Sequence, residues 1–143
     1  MSYTDDYIAD ILKETKVIAL IGFSANEARP SYGVARYLRN RGYRVIPVNP
    51  GLAGQKFGDE TIYGSIADVP VDVDMVDVFR ASDAVAGLTD EALKRWPGLK
   101  TIWLQIGVRD DAAMAKAEAR GVKTVQNRCP AIEIPRLGLE PVA

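Results

Sequence analysis

The stretch VIALIGFSANEARPSYGVARYLRNRGYRVIPVNP, residues 17–50, carries the pattern that predicts the fold. It opens with a short run of branched apolar residues, Val17–Ile21, which ends at Gly22, and it closes with a similar run, Val45–Val48. Between these runs, Tyr32–Arg41 places apolar residues at helical spacing and arginines off that face. Two buried strands joined by a helix form a βαβ unit, so this stretch predicts a parallel sheet.

The same alternation continues along the rest of the chain. Three more apolar runs predict strands over Val76–Phe79, Thr101–Leu104 and Val122–Val125. Helical spacing predicts helices over Tyr3–Glu14, Ser82–Trp96 and Asp110–Arg120, and a short closing helix over Pro130–Leu137 that Pro135 breaks. We therefore predict an α/β, Rossmann-like, three-layer α/β/α fold with a five-stranded, mainly parallel sheet. Residues 1–143 form a single domain in this interpretation, and the irregular stretch Asn49–Pro70 covers the ligand edge.

Composition and charge exclude several classes of function. The chain has 18 basic and 19 acidic residues and a net charge of −1, so no nucleic-acid or anionic membrane partner is expected. The sequence contains no histidine, which excludes Ser-His-Asp triads, phosphohistidine chemistry and every zinc site that uses histidine.

Location can also be predicted from the sequence. The longest apolar run, Val17–Phe23, is far shorter than the ~20 residues that span a bilayer. Asp5 and Asp6 stand where a signal peptide would carry positive charge. The single cysteine suits a reducing compartment, so we expect a cytoplasmic protein.

The turn after the first predicted strand is the most informative candidate for a binding site. In an open α/β sheet the ligand lies outside the carboxyl ends of the strands. Here the turn runs from Gly22 to Ser31, and we predict Ser31 as the cap of the following helix. Free helix amides with Arg29 nearby would form a phosphate site, although the turn matches neither G-x-G-x-x-G nor the P-loop pattern.

The end of the second strand bears on the identity of the nucleotide. NAD sites usually place a carboxylate there to bind the ribose, but this strand ends at Asn49. NAD is therefore disfavoured. Arg44 lies nearby in the sequence and leaves NADP open as an alternative ligand.

Taken together, the segments resemble the small CoA-binding domain proteins, which are stand-alone relatives of the N-terminal domain of the succinyl-CoA synthetase alpha subunit. The resemblance runs from about Val17 to Leu137. The matching segments are Gly22-Phe23-Ser24, Arg29-Pro30-Ser31-Tyr32, Tyr37-Leu38, Gly42 to Pro50, Tyr63, Val78-Phe79-Arg80, Trp103 to Val108, and Asn127-Arg128-Cys129-Pro130.

The resemblance implies that coenzyme A binds across the carboxyl edge of the sheet. The implied contacts are Gly22, Ser24, Arg29 and Ser31 at the phosphates, Asn49 and Lys56 at the ribose phosphate, Phe79 and Arg80 at the adenine or ribose, and Gln105 and Gly107 at the pantetheine arm or pyrophosphate. A ligand with a pyrophosphate and a 3′-phosphate needs basic groups to bind it. Five basic residues are predicted near the strand ends at this edge: Arg29, Lys56, Arg80, Arg109 and Arg128.

The sequence departs from the synthetase in ways that affect activity. The synthetase reaction uses a phosphohistidine from a second domain, and this chain has no histidine. We interpret Asp72, Asp74 and Asp77 as loop and edge residues and not as a catalytic pair. The expected function is non-catalytic binding of CoA or an acyl-CoA. Two alternatives stay open: an NAD(P)-binding redox or sensor module, and a CoA-binding subunit that is active only with a protein partner.

Cys129 follows the fifth predicted strand at the same edge and has two readings. Free cysteine is often a small buried hydrophobe. The other hypothesis is a mixed disulfide with the CoA thiol, helped by Arg128 and the start of the closing helix, both of which would lower the thiol pKa.

Overall fold

The computed structural model describes residues 3–142. Within that range the helices are α1 (Asp5–Glu14), α2 (Pro30–Asn40), α3 (Val85–Arg95), α4 (Asp111–Ala119) and α5 (Pro130–Arg136). The strands are β1 (Val17–Ile21), β2 (Arg44–Val48), β3 (Lys56–Phe57), β4 (Glu60–Thr61), β5 (Met75–Val78), β6 (Thr101–Leu104) and β7 (Lys123–Val125). None of the helices in this range has the length and apolarity needed to cross a membrane.

The main sheet has five parallel strands in the order β2-β1-β5-β6-β7. The chain leaves β1 for β2 on one side and later returns to β5 on the other side of β1. The strand order therefore reverses between β1 and β5, which is where open sheets of this kind bind ligands. The predicted Rossmann-like α/β fold is confirmed, and every pairing in this sheet is parallel.

Apolar side chains bury both faces of the sheet and create the three layers. One face packs against α1, α2 and α5, with Trp103 fully buried near its centre. The other face packs against α3 and α4, with Trp96 fully buried beside them. Because both faces are covered, most strand residues are buried and apolar, and the strands do not alternate between apolar and polar residues.

Two local predictions need correction. The stretch Asn49–Pro70 is not wholly irregular, because β3 and β4 pair as a small antiparallel hairpin within it. Pro135 does not break the closing helix, since α5 continues through it to Arg136. A helix of seven residues leaves few internal amides for a proline to remove.

Asp77 was interpreted as a loop or edge residue, and that interpretation is wrong. It lies in β5, between Leu20 of β1 and Trp103 of β6, and its side chain is fully buried. The Gln105 amide donates to its two carboxylate oxygens at 3.0 and 3.2 Å. Burial disfavours the ionised carboxylate and raises the pKa of Asp77 to about 7, against the opposing effect of that hydrogen bond.

Gly22 ends β1 with a φ of +86°, in the left-handed region that favours glycine. A Cβ atom at this position would lie 2.7 Å from the carbonyl oxygen of Phe79, which directly follows the neighbouring strand β5. The turn at the switch point therefore needs glycine for two reasons, backbone conformation and lack of space.

Replacing Asp77 by Asn should flatten the pH dependence of stability. The raised pKa means that the folded chain keeps a proton that the unfolded chain loses above its value of 3.8. The free energy of unfolding of the wild type should therefore fall as pH rises from about 4 to about 7, by roughly 4 kcal/mol. Asn cannot ionise, so the variant should lose this fall. Urea unfolding at pH 4.5 and pH 8 measures the difference.

Asp72→Asn is the matched control, because Asp72 is exposed and lies just before the same strand. It should keep the wild-type pH profile. Parallel profiles for the wild type and Asp77→Asn would show that burial does not neutralise this carboxyl group.

Gly22→Ala should destabilise the chain, whereas Gly33→Ala should stabilise it. Alanine at position 22 meets both the strained φ and the Phe79 carbonyl, at a cost of about 2–4 kcal/mol. Gly33 lies inside α2 with nothing within 4 Å of an added Cβ, so alanine there should add up to about 1 kcal/mol. Chemical denaturation of both variants tests the contrast, and equal effects would contradict it.

Candidate functional site

Three neighbouring cavities form one groove along the carboxyl ends of the strands. The first cavity, of about 570 Å³, lies at the ends of β1 and β2 and is bounded by α3. The central cavity, of about 490 Å³, lies between the loop after β1 and the start of α2. The apolar cavity, of about 460 Å³, lies between α2 and α5. Gly22 and Asn49 line both of the first two cavities, and Pro30 and Phe79 line both of the last two.

The loop after β1 shapes the central cavity. The prediction that Ser31 caps the following helix is wrong. The helix α2 begins at Pro30, with Arg29 at the cap position, so Ser31 is not the cap. Proline suits the first helical position because it has no N–H to satisfy and its φ is already helical. The Ser31 hydroxyl instead accepts a hydrogen bond from the Ser24 amide at 2.9 Å and so ties the loop to the helix.

Asn49 joins the two loops that border the groove. Its Nδ2 donates to the Phe23 carbonyl at 2.6 Å, and its Oδ1 accepts from the Gly51 amide at 2.8 Å. The side chain lines the first and central cavities, but both of its polar atoms already have partners. Asn49 therefore sets the spacing of the loops after β1 and β2.

Two arginines give the groove its positive charge. Arg29 and Arg80 are both exposed, and neither forms an ion pair with any residue between positions 3 and 142. Arg29 lines the central cavity, and Arg80 lines the first and apolar cavities. The amino end of α2 adds partial positive charge, and its first turn contains no acidic residue.

The other three basic candidates are less available. Arg109 lies 3.8 Å from an Asp111 oxygen, and Arg128 lies 3.1 Å from a Glu133 oxygen. Lys56 belongs to the β3–β4 hairpin, where its ammonium group donates to the Thr61 hydroxyl, and it lines none of the three cavities.

The remaining predicted residues divide between the groove and its rim. Phe79 forms the wall between the central and apolar cavities. Gln105 is buried in the floor of the apolar cavity, where its amide is held by Asp77. Gly107 is exposed and donates its N–H to Asn127 Oδ1 at 2.7 Å, but it lines none of the three cavities.

Cys129 lines the apolar cavity and is only 7% exposed. Burial raises the pKa of its thiol, which contradicts the predicted lowering. The guanidinium of Arg128 pairs with Glu133 and lies over the ring of Tyr3, so its charge is engaged elsewhere. The structure favours the reading of Cys129 as a small, mostly buried hydrophobe.

Sequence reasoning missed the apolar cavity and part of the first one. Ile106 and Ile132 line the apolar cavity, while Ser65 and Glu91 line the first. Ile106 stood in the sequence as a large apolar residue between Gln105 and Gly107, in a turn, and that was a usable signal. Ser65 and Glu91 had no such signal, because distant segments bring them to the groove.

The argument for NADP from Arg44 is not supported. Arg44 is the first residue of β2, whereas the groove lies at the opposite, carboxyl end of that strand. Its guanidinium forms an ion pair with Glu60 of the hairpin. No carboxylate stands at the end of β2, which ends at Val48 and is followed by Asn49.

Comparison with known proteins agrees with the fold. A Thermus thermophilus protein, cell-free ID.343, is 34% identical, with a TM-score of 0.87 over 94% of this chain and 99% of that chain. A hypothetical protein from Pyrococcus horikoshii is 33% identical, with a TM-score of 0.87 over 96% and 94%. The uncharacterized protein YneT of Bacillus subtilis is 29% identical over 122 residues, which are 85% of this chain and 87% of that protein.

The family model described as CoA binding domain matches residues 16–135. The matched range begins just before β1 and ends within α5. It therefore includes every strand of the main sheet and the strand ends that line the three cavities. The chain belongs to this family of CoA-binding domains.

Proposed function

We propose that this chain binds coenzyme A or an acyl-CoA along the groove and catalyses no reaction by itself. The observation that carries the proposal is the pair of unpaired arginines, Arg29 and Arg80, beside the amino end of α2 at the switch point of the sheet. Phosphate oxygens accept hydrogen bonds from helix amides and guanidinium groups, and the helix dipole favours their negative charge.

The three cavities suit the chemically different parts of this ligand. The first cavity offers Ser65 and Glu91 to the hydroxyl and amino groups of an adenosine. The central cavity offers Arg29 and the start of α2 to the pyrophosphate, with Gly22 allowing close backbone approach. Arg80, between the first and apolar cavities, can bind a phosphate on the ribose. The pantetheine arm then runs past Phe79 and along the mouth of the apolar cavity.

The chemistry of the groove supports binding without turnover. The sequence has no histidine to act as a base or to carry a phosphoryl group. Asp77 carries the one fully buried side-chain carboxyl group between positions 3 and 142, and both of its oxygens are bonded to Gln105 beneath the cavity floor. A partner subunit that supplies catalytic groups to the open groove remains the alternative form of the same proposal.

CoA should bind more tightly than dephospho-CoA, and NADP should bind more weakly than either. The 3′-phosphate gains a charge-assisted contact with Arg80. The nicotinamide riboside of NADP would instead have to place its hydroxyl and amide groups along the apolar cavity, which offers them few hydrogen-bond partners. Titration calorimetry with the three ligands at one ionic strength measures this order. Tighter binding of NADP than of CoA would replace the proposal with the redox or sensor alternative.

Arg29→Gln and Arg80→Gln should each weaken CoA binding about tenfold, because each removes one charge-assisted contact that is exposed to solvent. The Arg80 variant should also bind CoA and dephospho-CoA almost equally. Arg36→Gln is the matched control. Arg36 is an exposed arginine of α2, and it lies over the ring of Tyr32 outside the groove. If all three variants bind CoA equally, the phosphates are held elsewhere.

A further inference from the structure

The apolar cavity differs in chemistry from the rest of the groove. Its walls come from α2, from the ends of β5 and β6 and from α5, and most of its lining is hydrocarbon, including Val34, Phe79 and Val108. Its two polar side chains are Arg80, at the side shared with the first cavity, and Gln105 in the floor. The Gln105 amide donates to both carboxylate oxygens of Asp77, beneath this floor.

Two large aliphatic side chains at this cavity are exposed to solvent. Ile106 is 61% exposed and Ile132 is 52% exposed, and they are the large hydrophobic residues that residues 3–142 leave exposed. Both line the same cavity, one from the turn after β6 and one from α5. Grouped exposed apolar side chains beside a cavity mark a surface that gains free energy when an apolar ligand covers it.

The position of the cavity indicates what that ligand is attached to. It shares Pro30 and Phe79 with the central cavity, so a ligand whose phosphates lie at the start of α2 can extend into it. A pantetheine arm alone fits poorly, because its amides would meet walls that offer few hydrogen-bond partners, and buried unpaired amides are unfavourable. A hydrocarbon chain beyond the arm has no such requirement.

We infer that the apolar cavity holds the hydrocarbon chain of an acyl-CoA, so that the preferred ligand is an acyl thioester and not free CoA. This inference rests on the proposed function. The arm would cross the mouth of the groove with its amides near solvent, and the acyl chain would cover Ile106 and Ile132. Cys129 would then lie against the chain in the cavity wall.

Titration calorimetry with CoA and with acetyl-, butanoyl-, hexanoyl- and octanoyl-CoA tests the inference. Full burial of a methylene group strengthens binding about fourfold. Since this cavity is open to solvent on one side, we expect about twofold per added methylene, until the chain outgrows the cavity. Ile132→Ser should reduce this gain per methylene, and Ile132→Val should retain most of it.

Thiol labelling locates the chain independently of affinity. Cys129 is the sole cysteine, so a small reagent such as methyl methanethiosulfonate reports on this cavity alone. Saturating octanoyl-CoA should slow the labelling of Cys129 at least tenfold more than saturating CoA does. In Ile132→Ser this difference should shrink.

The outcomes separate the inference from the proposed function. Binding of CoA with no dependence on chain length, or equal labelling rates with CoA and octanoyl-CoA, overturns the inference and leaves the proposed function standing. No binding of CoA or of any acyl-CoA overturns both. Sedimentation could instead detect a dimer without ligand that Ile132→Ser dissociates. That result would show that a second copy of the chain covers Ile132, and it would also overturn the inference.

Discussion

The close approach of Gly22 to the carbonyl oxygen of Phe79 is the constraint on which the groove depends. It occurs at the end of β1, between the two strands where the order of the sheet reverses. Without a side chain at position 22, the loop after β1 can turn directly over the end of β5. This places the start of α2 beside Phe79 and Arg80, so that residues distant in sequence line one cavity. A larger residue would separate these two loops.

Short polar side chains then hold the loops in place, and this use limits what they can offer a ligand. Ser31 and Asn49 were both predicted to contact the ligand, yet each has a hydrogen bond to the neighbouring loop. These hydrogen bonds order the backbone of the two loops, and in the proposed function this order would reduce the entropy lost on binding. In the proposed function, recognition of charge would fall to Arg29 and Arg80, which line the groove, and to the amides at the start of α2.

Beneath the groove, Asp77 and Gln105 form a polar connection within an apolar layer. A buried carboxyl group is unfavourable when ionised, so burial raises the pKa of Asp77 to about 7, while the hydrogen bond from the Gln105 amide opposes this rise. The same contact fixes the orientation of Gln105 at the cavity floor. With its donors turned inward, the glutamine leaves a cavity that is apolar enough to suit a hydrocarbon chain, although a polar side chain forms part of its lining.

The sequence by itself determined the class of fold and the edge of the sheet where the candidate groove lies. Branched apolar runs such as Val17–Ile21, separated by segments of helical spacing, specify a covered parallel sheet. The apolar runs and the helical spacing are both local patterns, and they can therefore be recognised in the sequence alone. The resemblance carried by the Gly22–Tyr32 turn and the Pro47–Pro50 turn named the family, and the family model agrees.

Only the tertiary structure decided which candidate residues are free to act. The charge of Arg128 is engaged by Glu133, Lys56 turns to Thr61, and Arg44 lies at the opposite edge, and none of these follows from spacing. Asp77 looked like a punctuating carboxylate in the sequence, but strand pairing buried it in the sheet. Pairing, burial and hydrogen-bond partners arise between segments distant in the chain, and therefore only the folded chain specifies the groove, its two free arginines and its apolar cavity.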